Sequence, residues 1–253
     1  MNPITGNHII FIEETGSTNE ALKLEEQFHQ LPEGTVLYTH YQNKGKGQLD
    51  AKWESEPAQN LLLSVLYAPK FLKIEAQMYL NLAVALACRH FLAELLPEQT
   101  LRIKWPNDLV VNGHKIGGIL IENSLAGSQL KTSIVGIGIN VNQLKFQYNQ
   151  AISLAQITGK NYELSVLRKR LYELLDQYYT ALQLKKFDWL KNQYENHLLQ
   201  KGETAVFIIN GQKKKAEIMG IGHQGKLFLM IDGEIFSFLN KELVYCSLKS
   251  GNE

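Results

Sequence analysis

Four apolar runs follow one another between residues 101 and 140, with only short polar breaks between them. The runs cover residues 101–105, 109–111, 116–122 and 131–140. The break after the second run is Asn112-Gly113, and Asn-Gly between apolar runs is a strong hairpin signal because both residues tolerate the positive φ of a tight turn. We therefore predict four strands here, separated by Asn112-Gly113 and by residues 123–129.

Strand and helix patterns also alternate before this block. Three β-prone runs predict strands at residues 8–13, 35–41 and 61–67. Helices are predicted at residues 19–28, capped by Ser17 or Thr18, and at residues 75–96, which are largely apolar and end before Pro97. Residues 42–60 show no apolar periodicity, and loops of that length in a compact domain are usually functional or disordered.

The pattern changes in the last fifty residues. Apolar positions at spacings of three and four predict a long helix over residues 164–182, and a second helix follows at 188–199. Beyond Gly202 the chain has short strand-like runs at 204–209, 216–221, 226–231 and 234–239, joined in part by Asn-Gly and Asp-Gly turns. Short strands at regular spacing are typical of a small β-barrel, so we expect a domain boundary near residue 200.

Composition excludes several classes of protein. The 253 residues include 26 basic and 25 acidic side chains, so no whole-chain field would attract a nucleic acid. Two cysteines cannot form a disulfide framework, which favours a reducing, cytoplasmic location. The N-terminus has no signal-peptide pattern, and no apolar run appears long enough to span a bilayer. These features predict a soluble protein without a membrane partner.

The loop at residues 42–60 contains the first candidate site. Gly45 and Gly47 would let the backbone approach an anion, and Lys44, Lys46 and Lys52 supply positive charge, as phosphate binding requires. The loop lacks the third glycine of a dinucleotide fingerprint and the Gly-Lys-Ser/Thr of a P-loop. A mobile, solvated surface loop is the alternative.

A second candidate combines Lys104-Trp105-Pro106-Asn107-Asp108 with Lys115. This run places a turn, an aromatic ring and a carboxylate together, seven residues before a lysine that opens an apolar Gly-Gly strand. A compact ammonium group there would neutralise both a carboxylate nucleophile and an α-phosphate. The alternative is an ordinary β-hairpin with Lys115 in solvent.

A third candidate is the glycine-bearing strand Gly136-Ile137-Gly138-Ile139-Asn140. The side-chain amide of Asn140 could contact a purine edge, although close strand packing would produce the same pattern. The seven histidines and two cysteines show no metal-ligand spacing. We interpret the run Lys213-Lys214-Lys215, next to the Asn210-Gly211 turn, as a solvated turn face, and a partner-binding patch is the alternative.

Taken in order, these motifs resemble the biotin protein ligases. The resemblance rests on Ser17-Thr18-Asn19, the Gly45-Lys46-Gly47 loop with Trp53-Glu54-Ser55 and Asn60, Lys104 to Asp108, Lys115 to Glu122, and Gly138-Ile139-Asn140. It implies an α+β fold in which helices pack on a mixed β-sheet, as in class II aminoacyl-tRNA synthetases. Residues 1–200 would form the catalytic domain and residues 201–253 a small SH3-like barrel. Because the motifs begin by residue 17, we expect the monofunctional type without an N-terminal winged helix, and no DNA binding.

The resemblance also implies a two-step reaction. Biotin and MgATP give biotinyl-5′-AMP and pyrophosphate, and a lysine of a biotin carboxyl carrier protein domain then takes the biotinyl group. The implied ligands are therefore ATP, Mg²⁺ and biotin as substrate. The family includes monomers and dimers, so a homodimer is possible, and the sequence does not identify the Mg²⁺ ligands.

The family motifs assign roles to particular residues of this chain. Catalytic roles fall to Lys115, which would bridge the biotin carboxylate and the α-phosphate, and to Asp108, which would help deprotonate the acceptor lysine. The resemblance implies biotin contacts for Ser17, Thr18, Asn19, Gln42, Gly47, Lys115 and Gly117. It implies contacts with ATP or the adenylate for Gly45, Lys46, Gly47, Gln48, Trp53, Asn107 and Asn140.

The loop departs from the common family pattern Gly-Arg-Gly-Arg-Arg-Gly. Gln48 and Leu49 replace two arginines, and Asp50 replaces a glycine. Because a guanidinium can clamp phosphate and a carboxylate repels it, we expect an active ligase that holds biotinyl-adenylate less tightly. Two alternatives stay open: a lipoate- or octanoate-handling acyl ligase or transferase of the same fold, and a non-catalytic biotin or adenylate sensor.

Overall fold

The computed structural model describes residues 3–48 and 51–246, which form two β-sheets with helices packed against them. The strands of the larger sheet are β1 (Ile9–Thr15), β2 (Val36–Gln42), β3 (Asn60–Tyr67), β4 (Leu101–Lys104), β5 (Asp108–Val111), β6 (His114–Ala126) and β7 (Gln129–Asn140). Their spatial order is β1-β2-β3-β7-β6-β5-β4. The β1–β2 pair is parallel and the other neighbouring pairs are antiparallel, so the sheet is mixed, as predicted.

Five helices accompany this sheet in the described part of the chain. They are α1 (Thr18–Phe28), α2 (Met78–Leu95), α3 (Leu154–Thr158), α4 (Leu164–Gln183) and α5 (Phe187–Asn196). Helix α1 packs on β2, β3 and β7, while α2 lies between the sheet and the pair α4 and α5. The apolar side chains of α2, α4 and the central strands form one buried cluster. The mixed α+β fold predicted from the sequence is therefore confirmed.

Helix α2 belongs to an apolar segment that is longer than we predicted. Together with the turn before it, residues Ile74–Leu95 are long and apolar enough by composition to cross a bilayer, so the expectation that no run reaches that length was wrong. However, 61% of this apolar window is buried inside the protein. An apolar helix enclosed by other elements is typical of a protein core, and packing against α4 and α5 accounts for its composition.

The C-terminal residues form a second, five-stranded antiparallel sheet, which we call the C-terminal sheet. Its strands are β8 (Thr204–Ile209), β9 (Gln212–Ile221), β10 (Leu227–Ile231), β11 (Glu234–Phe238) and β12 (Leu243–Tyr245), in the order β11-β10-β9-β8-β12. Strand β12 was not predicted, because three residues are too short for a visible alternation. Trp105 Nε1 donates to Gly225 O at 2.9 Å and joins the two sheets. The buried cluster is continuous across both, so a domain boundary near residue 200 stays a prediction.

One predicted strand boundary was wrong because polar residues take part in regular structure. Strand β6 continues through the expected break at residues 123–129 as far as Ala126, since Ser133 Oγ donates to Asn123 Oδ1 at 2.7 Å. Ser124 pairs with Thr132 in the same way. Polar side chains that bond across the ladder thus extend this hairpin.

The interpretation of Lys213, Lys214 and Lys215 as a turn was also wrong, because these residues lie in β9 and pair with β8.

The other errors concern short helical segments. Helix α5 ends at Asn196 rather than at 199, because Ile103 N donates to His197 O at 2.8 Å and Leu199 N donates to Ile103 O at 2.9 Å. Helix α3 was missed, although Ser153 and Gln156 form the capping box that marks its start. Helix α1 begins at Thr18 with Ser17 at the N-cap position, in agreement with the predicted start.

Candidate active site

A cavity of about 270 Å³ lies against one face of the β6–β7 hairpin. Gly118, Gly136 and Gly138 share this face, because Gly118 pairs with Gly138 and alternate residues of a strand point to the same side. The remaining walls come from distant parts of the chain: the start of α1, the loop after β2, the turn between β4 and β5, and residues 240–245. We call these three glycines the glycine floor; because they have no Cβ atoms, the side chains of Asn19 and Trp53 can pack directly on the backbone there.

The start of α1 forms a polar wall of the cavity. Asn19 Nδ2 donates to Glu122 Oε2 at 2.7 Å and to Leu120 O at 3.2 Å, which ties the helix to β6. Ser64 Oγ donates to Asn19 Oδ1 at 2.6 Å. Ser17 is the N-cap residue by position, yet its side chain makes no capping hydrogen bond. Its hydroxyl therefore lines the cavity without being used by the helix.

Thr18 and Gln42 extend this wall towards the loop. Gln42 Oε1 accepts from Thr18 N at 2.8 Å and from Thr18 Oγ1 at 3.1 Å, so the glutamine side chain satisfies a free amide of the first helical turn. Both residues line the cavity. The carboxamide of Gln42 is held through its oxygen, and its Nε2 would lie 3.3 Å from a Cβ atom built at Gly45 of the loop.

Two lysines flank one carboxylate on a second wall. Lys115 Nζ lies 2.7 Å from Asp108 Oδ1, and Lys104 Nζ lies 3.4 Å from Asp108 Oδ2. The side chains of Lys115 and Asp108 are only 28% and 19% exposed, which reduces screening of this pair by solvent. One negative charge between two positive charges leaves this wall with a net positive charge, as an anionic substrate requires.

The turn that carries Asp108 is fixed by buried hydrogen bonds. Pro106 O accepts from Asn81 Nδ2 and from Tyr194 OH, both at 2.8 Å. Asn107 Nδ2 donates to Ile119 O on the neighbouring strand. Because side chains of α2 and α5 and a bond to β6 hold the turn, the position of Asp108 does not depend on the lysines.

Trp53 covers the glycine floor. A Cβ atom built at Gly138 would lie 2.6 Å from Trp53 Cε2 and Cζ2, so the indole rests directly on the backbone there. Lys115 Nζ lies 5.8 Å from the centroid of the indole ring. Trp53 Nε1 is buried without a hydrogen-bond partner in the part of the chain that the structure describes. A buried donor without an acceptor is costly, and a ligand atom here would supply one.

The C-terminal sheet supplies a wall that the sequence analysis did not predict. Asn240, Leu243, Val244 and Tyr245 line the cavity. Lys104 Nζ lies 5.5 Å from the centroid of the Tyr245 ring. No motif in the local sequence identifies these residues as part of a site, because the residues that they contact lie more than a hundred positions earlier in the chain.

Most of the residues predicted from the motifs meet in this cavity. Ser17, Thr18, Asn19, Gln42, Lys46, Gly47, Gln48, Trp53, Asn107, Asp108 and Lys115 all line it. Lys46 extends to Glu20 of α1 and forms an ion pair with it. Leu49 and Asp50, whose effect on the loop was predicted, lie outside the described residues.

Three predicted residues do not line the cavity. Gly45 packs on the backbone of Trp53, and a Cβ at Gly117 would meet Gly138 O at 2.9 Å. Asn140 Nδ2 donates to Ile152 O at 3.0 Å and is buried at the end of β7. In this structure Gly118, rather than Gly117, faces the cavity. The contacts predicted for Gly45, Gly117 and Asn140 stay predictions.

We expect Gly138→Ala to displace the indole of Trp53 and to destabilise the protein by about 1–3 kcal/mol, the usual range for an overpacked site. Gly118→Ala is the matched control, because its Cβ would lie 3.4 Å from both Trp53 Cζ3 and Lys115 Cε, an ordinary contact. Urea unfolding followed by tryptophan emission measures both effects. Equal stability of the two variants would contradict the close packing of Trp53 on Gly138.

Comparison with known proteins identifies relatives of this chain. A model of the biotin/lipoate A/B protein ligase family matches residues 11–140. The bifunctional ligase/repressor BirA of Bacillus subtilis is 28% identical over 232 residues, which cover 89% of this chain and 70% of that protein. The biotin--[acetyl-CoA-carboxylase] ligase of Paracoccus denitrificans is 35% identical over 135 residues, about half of each chain.

Solved structures resemble the whole described fold. The biotin protein ligase of Aquifex aeolicus in complex with biotin and ATP superposes with a TM-score of 0.78 at 29% identity, covering 94% of this chain and 98% of that one. The apo form of the same ligase gives a TM-score of 0.74 at 25% identity. The similarity therefore extends beyond the matched domain into the C-terminal sheet.

Proposed function

Because the chain belongs to the biotin/lipoate A/B protein ligase family, we propose that it is a biotin protein ligase. It activates biotin with ATP to biotinyl-5′-AMP and pyrophosphate, and then transfers the biotinyl group to a lysine of a carrier protein. One observation carries this proposal: Lys115 and Asp108 form a shielded ion pair inside a cavity whose opposite wall offers uncharged polar groups. Relatives named as biotin ligases, one with biotin and ATP bound, support it.

The two walls suggest how biotin lies in the cavity. Gly136 lies beside Asn19, and Gly138 lies beneath Trp53, two residues further along β7, or about 7 Å. The uncharged ureido ring of biotin suits the hydroxyls and amides of Ser17, Thr18 and Gln42. The carboxylate of biotin then points past Trp53 towards Lys115, whose Nζ lies 5.8 Å from the centroid of the indole ring. Biotin thus bridges from the start of α1 to the charged wall.

The first step is an attack by the biotin carboxylate on the α-phosphorus of ATP. An oxygen of the carboxylate forms the new bond, and the bond from the α-phosphorus to the bridging oxygen breaks, so that pyrophosphate leaves with the electron pair. Both reactants are anions, and the ammonium of Lys115 reduces their repulsion. The indole of Trp53, which lines the cavity, provides a flat apolar surface beside the adenine.

The second step needs a neutral amine. The carrier lysine attacks the acyl carbon of the mixed anhydride, the bond to phosphate breaks, and AMP leaves. A lysine in water is protonated near neutral pH, so a base must remove its proton. Asp108 is the only carboxylate among the described residues that line the cavity, and it is the proposed acceptor of that proton.

Magnesium fits this site as an ion carried by the nucleotide. No group of three or more potential metal-ligating side chains occurs among the described residues. Mg²⁺ commonly keeps several waters and binds through substrate phosphates and one or two carboxylates. When bound to ATP it would neutralise phosphate charge and stabilise the departing pyrophosphate.

Several finer features belong to the same proposal. The C-terminal sheet corresponds to the SH3-like barrel of such ligases, with residues 1–200 as the catalytic domain and 201–253 as the smaller one. The carrier is a biotin carboxyl carrier protein domain, and the location is cytoplasmic, in line with the scarcity of cysteine. A homodimer stays possible.

Two assays test the proposal on the full chain. Biotin-dependent exchange of labelled pyrophosphate into ATP reports the first step, and transfer of labelled biotin to a carrier domain reports the second. We expect both with biotin and MgATP, and neither when ATP or biotin is omitted. Activity with lipoate or octanoate instead of biotin would identify the acyl-ligase relative. Biotin binding without exchange would identify a sensor.

The altered loop gives a separate prediction. We expect the double variant Gln48→Arg, Leu49→Arg to release biotinyl-adenylate about tenfold more slowly than the wild type, because guanidinium groups form bidentate, charge-assisted bonds with phosphate. Release is measured by diluting the loaded enzyme and trapping free adenylate. The control pair Gln48→Lys, Leu49→Lys adds the same charge without the forked geometry and is expected to gain less. Equal release from wild type and the arginine variant would contradict the prediction.

A further inference from the structure

The loop after β2 crosses the cavity as a short hairpin. Trp53 N donates to Gly45 O at 2.9 Å, and Gly47 N donates to Ala51 O at 2.6 Å. One side of this hairpin is fixed to α1 by the ion pair between Lys46 and Glu20. The base of the hairpin is also held, because Trp53 packs on Gly138 and Glu54 Oε1 accepts from Gln147 N at 2.8 Å.

The other side of the hairpin contacts the C-terminal sheet. Asn240 Nδ2 donates to Gln48 Oε1, a hydrogen bond between residues 192 positions apart. Asn240 belongs to the turn between β11 and β12, which is itself fixed, because Leu239 N donates to Glu242 Oε2 at 2.7 Å and Glu242 N donates to Leu239 O at 3.0 Å. The asparagine is therefore presented by a rigid turn and not by a free loop.

We propose that Asn240 is a positioning residue that latches the loop closed over the adenylate. This inference rests on the proposed function, because it assigns a role to the C-terminal sheet in the same reaction. Gln48 stands where the family pattern has an arginine. An arginine side chain has only donors, whereas the glutamine carboxamide can accept from Asn240. In this chain the hydrogen bond from Asn240 to Gln48 holds the loop, where the arginine of the family pattern would hold it through a contact with phosphate.

A closed loop matters most after the first step. Biotinyl-adenylate is a mixed anhydride that water hydrolyses, and a lid that excludes water protects such an intermediate. Opening of the lid also sets how fast the intermediate escapes. The latch therefore affects release of the adenylate, whereas biotin on the far wall contacts Ser17, Thr18 and Gln42 and does not depend on Asn240.

The test measures release of pre-formed biotinyl-adenylate from the full-length wild type, Asn240→Leu, Gln48→Leu and the double variant. We expect each single change to accelerate release about three- to tenfold, the range for one hydrogen bond. The double variant should be no faster than the faster single one, because both changes remove the same interaction. Asn240→Asp should restore slow release, since the Gln48 carboxamide can turn and donate to the new carboxylate.

The control and the stability readout separate a latch from a general structural role. Gln212→Leu makes the same kind of change at an exposed amide of the C-terminal sheet that does not line the cavity, and it should release adenylate at the wild-type rate. The unfolding midpoint of Asn240→Leu should match that of the control. Additive effects of the two leucine changes, or unchanged release, would overturn the latch. A wild type without pyrophosphate exchange would instead refute the proposed function.

Discussion

Replacing Lys115 with methionine is expected to lower the rate of biotin-dependent pyrophosphate exchange by about 10²- to 10³-fold, the effect of removing one group that stabilises transition-state charge. The ammonium lies 2.7 Å from Asp108 Oδ1 and beside the glycine floor, where the biotin carboxylate and the α-phosphate meet in our proposal. Without it, two anions must approach each other in a poorly screened cavity. The rate of the first step should therefore fall far more than the affinity for biotin.

The backbone at this position makes the experiment interpretable. Lys115 N donates to Gln150 O at 2.7 Å, and Ile152 N donates to Lys115 O at 2.9 Å. These bonds hold the strand without the side chain, so Lys115→Met should fold, and its affinity for biotin should fall much less than its rate of pyrophosphate exchange. Isothermal titration with biotin and circular dichroism check both points.

Lys70→Met is the matched control for Lys115→Met, because Lys70 is exposed and does not line the cavity. We expect this variant to exchange pyrophosphate at the wild-type rate. If Lys115→Met kept more than a tenth of the wild-type exchange rate, Lys115 would not be the main counter-charge for the first step. If biotin affinity fell as much as exchange did, Lys115 would serve ground-state binding rather than the transition state.

The residues that were predictable from the sequence are those whose chemistry lies in short contiguous motifs. Ser17 to Asn19 begin a helix, and Asp108 follows a tight turn. Residue types that are typical of helix starts and turns mark both positions in the sequence, although side chains from distant elements hold Asn19 and the turn in place. The hairpin of β5 and β6 was predictable for the same reason, because the Asn112-Gly113 turn joins its two strands.

Contacts between distant segments were not predictable. Asn240 meets Gln48 across 192 residues, and Trp105 meets Gly225 across 120. Neither contact leaves an apolar periodicity or a turn motif in the sequence, because each contact depends on how the two sheets pack against each other. The same reason explains the error at β6, where Asn123 and Ser124 read as a loop although side-chain bonds to β7 hold them in the strand. Polar residues inside a ladder are recognisable only once the partner strand is known.

Asp108→Asn is expected to slow transfer of biotin from the adenylate to the carrier lysine by about 10²- to 10⁴-fold, the usual contribution of a general base. The rate of the first step should fall much less than the rate of transfer. The new amide keeps an oxygen that can accept from Lys115, and loss of one negative charge leaves the two lysines free to attract phosphate. Single-turnover transfer from pre-formed adenylate isolates the second step, and pyrophosphate exchange reports the first.

The pH dependence of transfer by Asp108→Asn distinguishes a base from a structural partner of the lysines. Without a base, only the fraction of carrier lysine that is already neutral can react, and that fraction rises about tenfold per pH unit well below a lysine pKa of about 10.4. The transfer rate of the variant should therefore rise about tenfold between pH 7 and pH 8, and more steeply than that of the wild type. Asp232→Asn, at an exposed turn outside the cavity, is the matched control and should behave as the wild type. Parallel losses in both steps, with an unchanged pH profile, would show that Asp108 only positions Lys104 and Lys115.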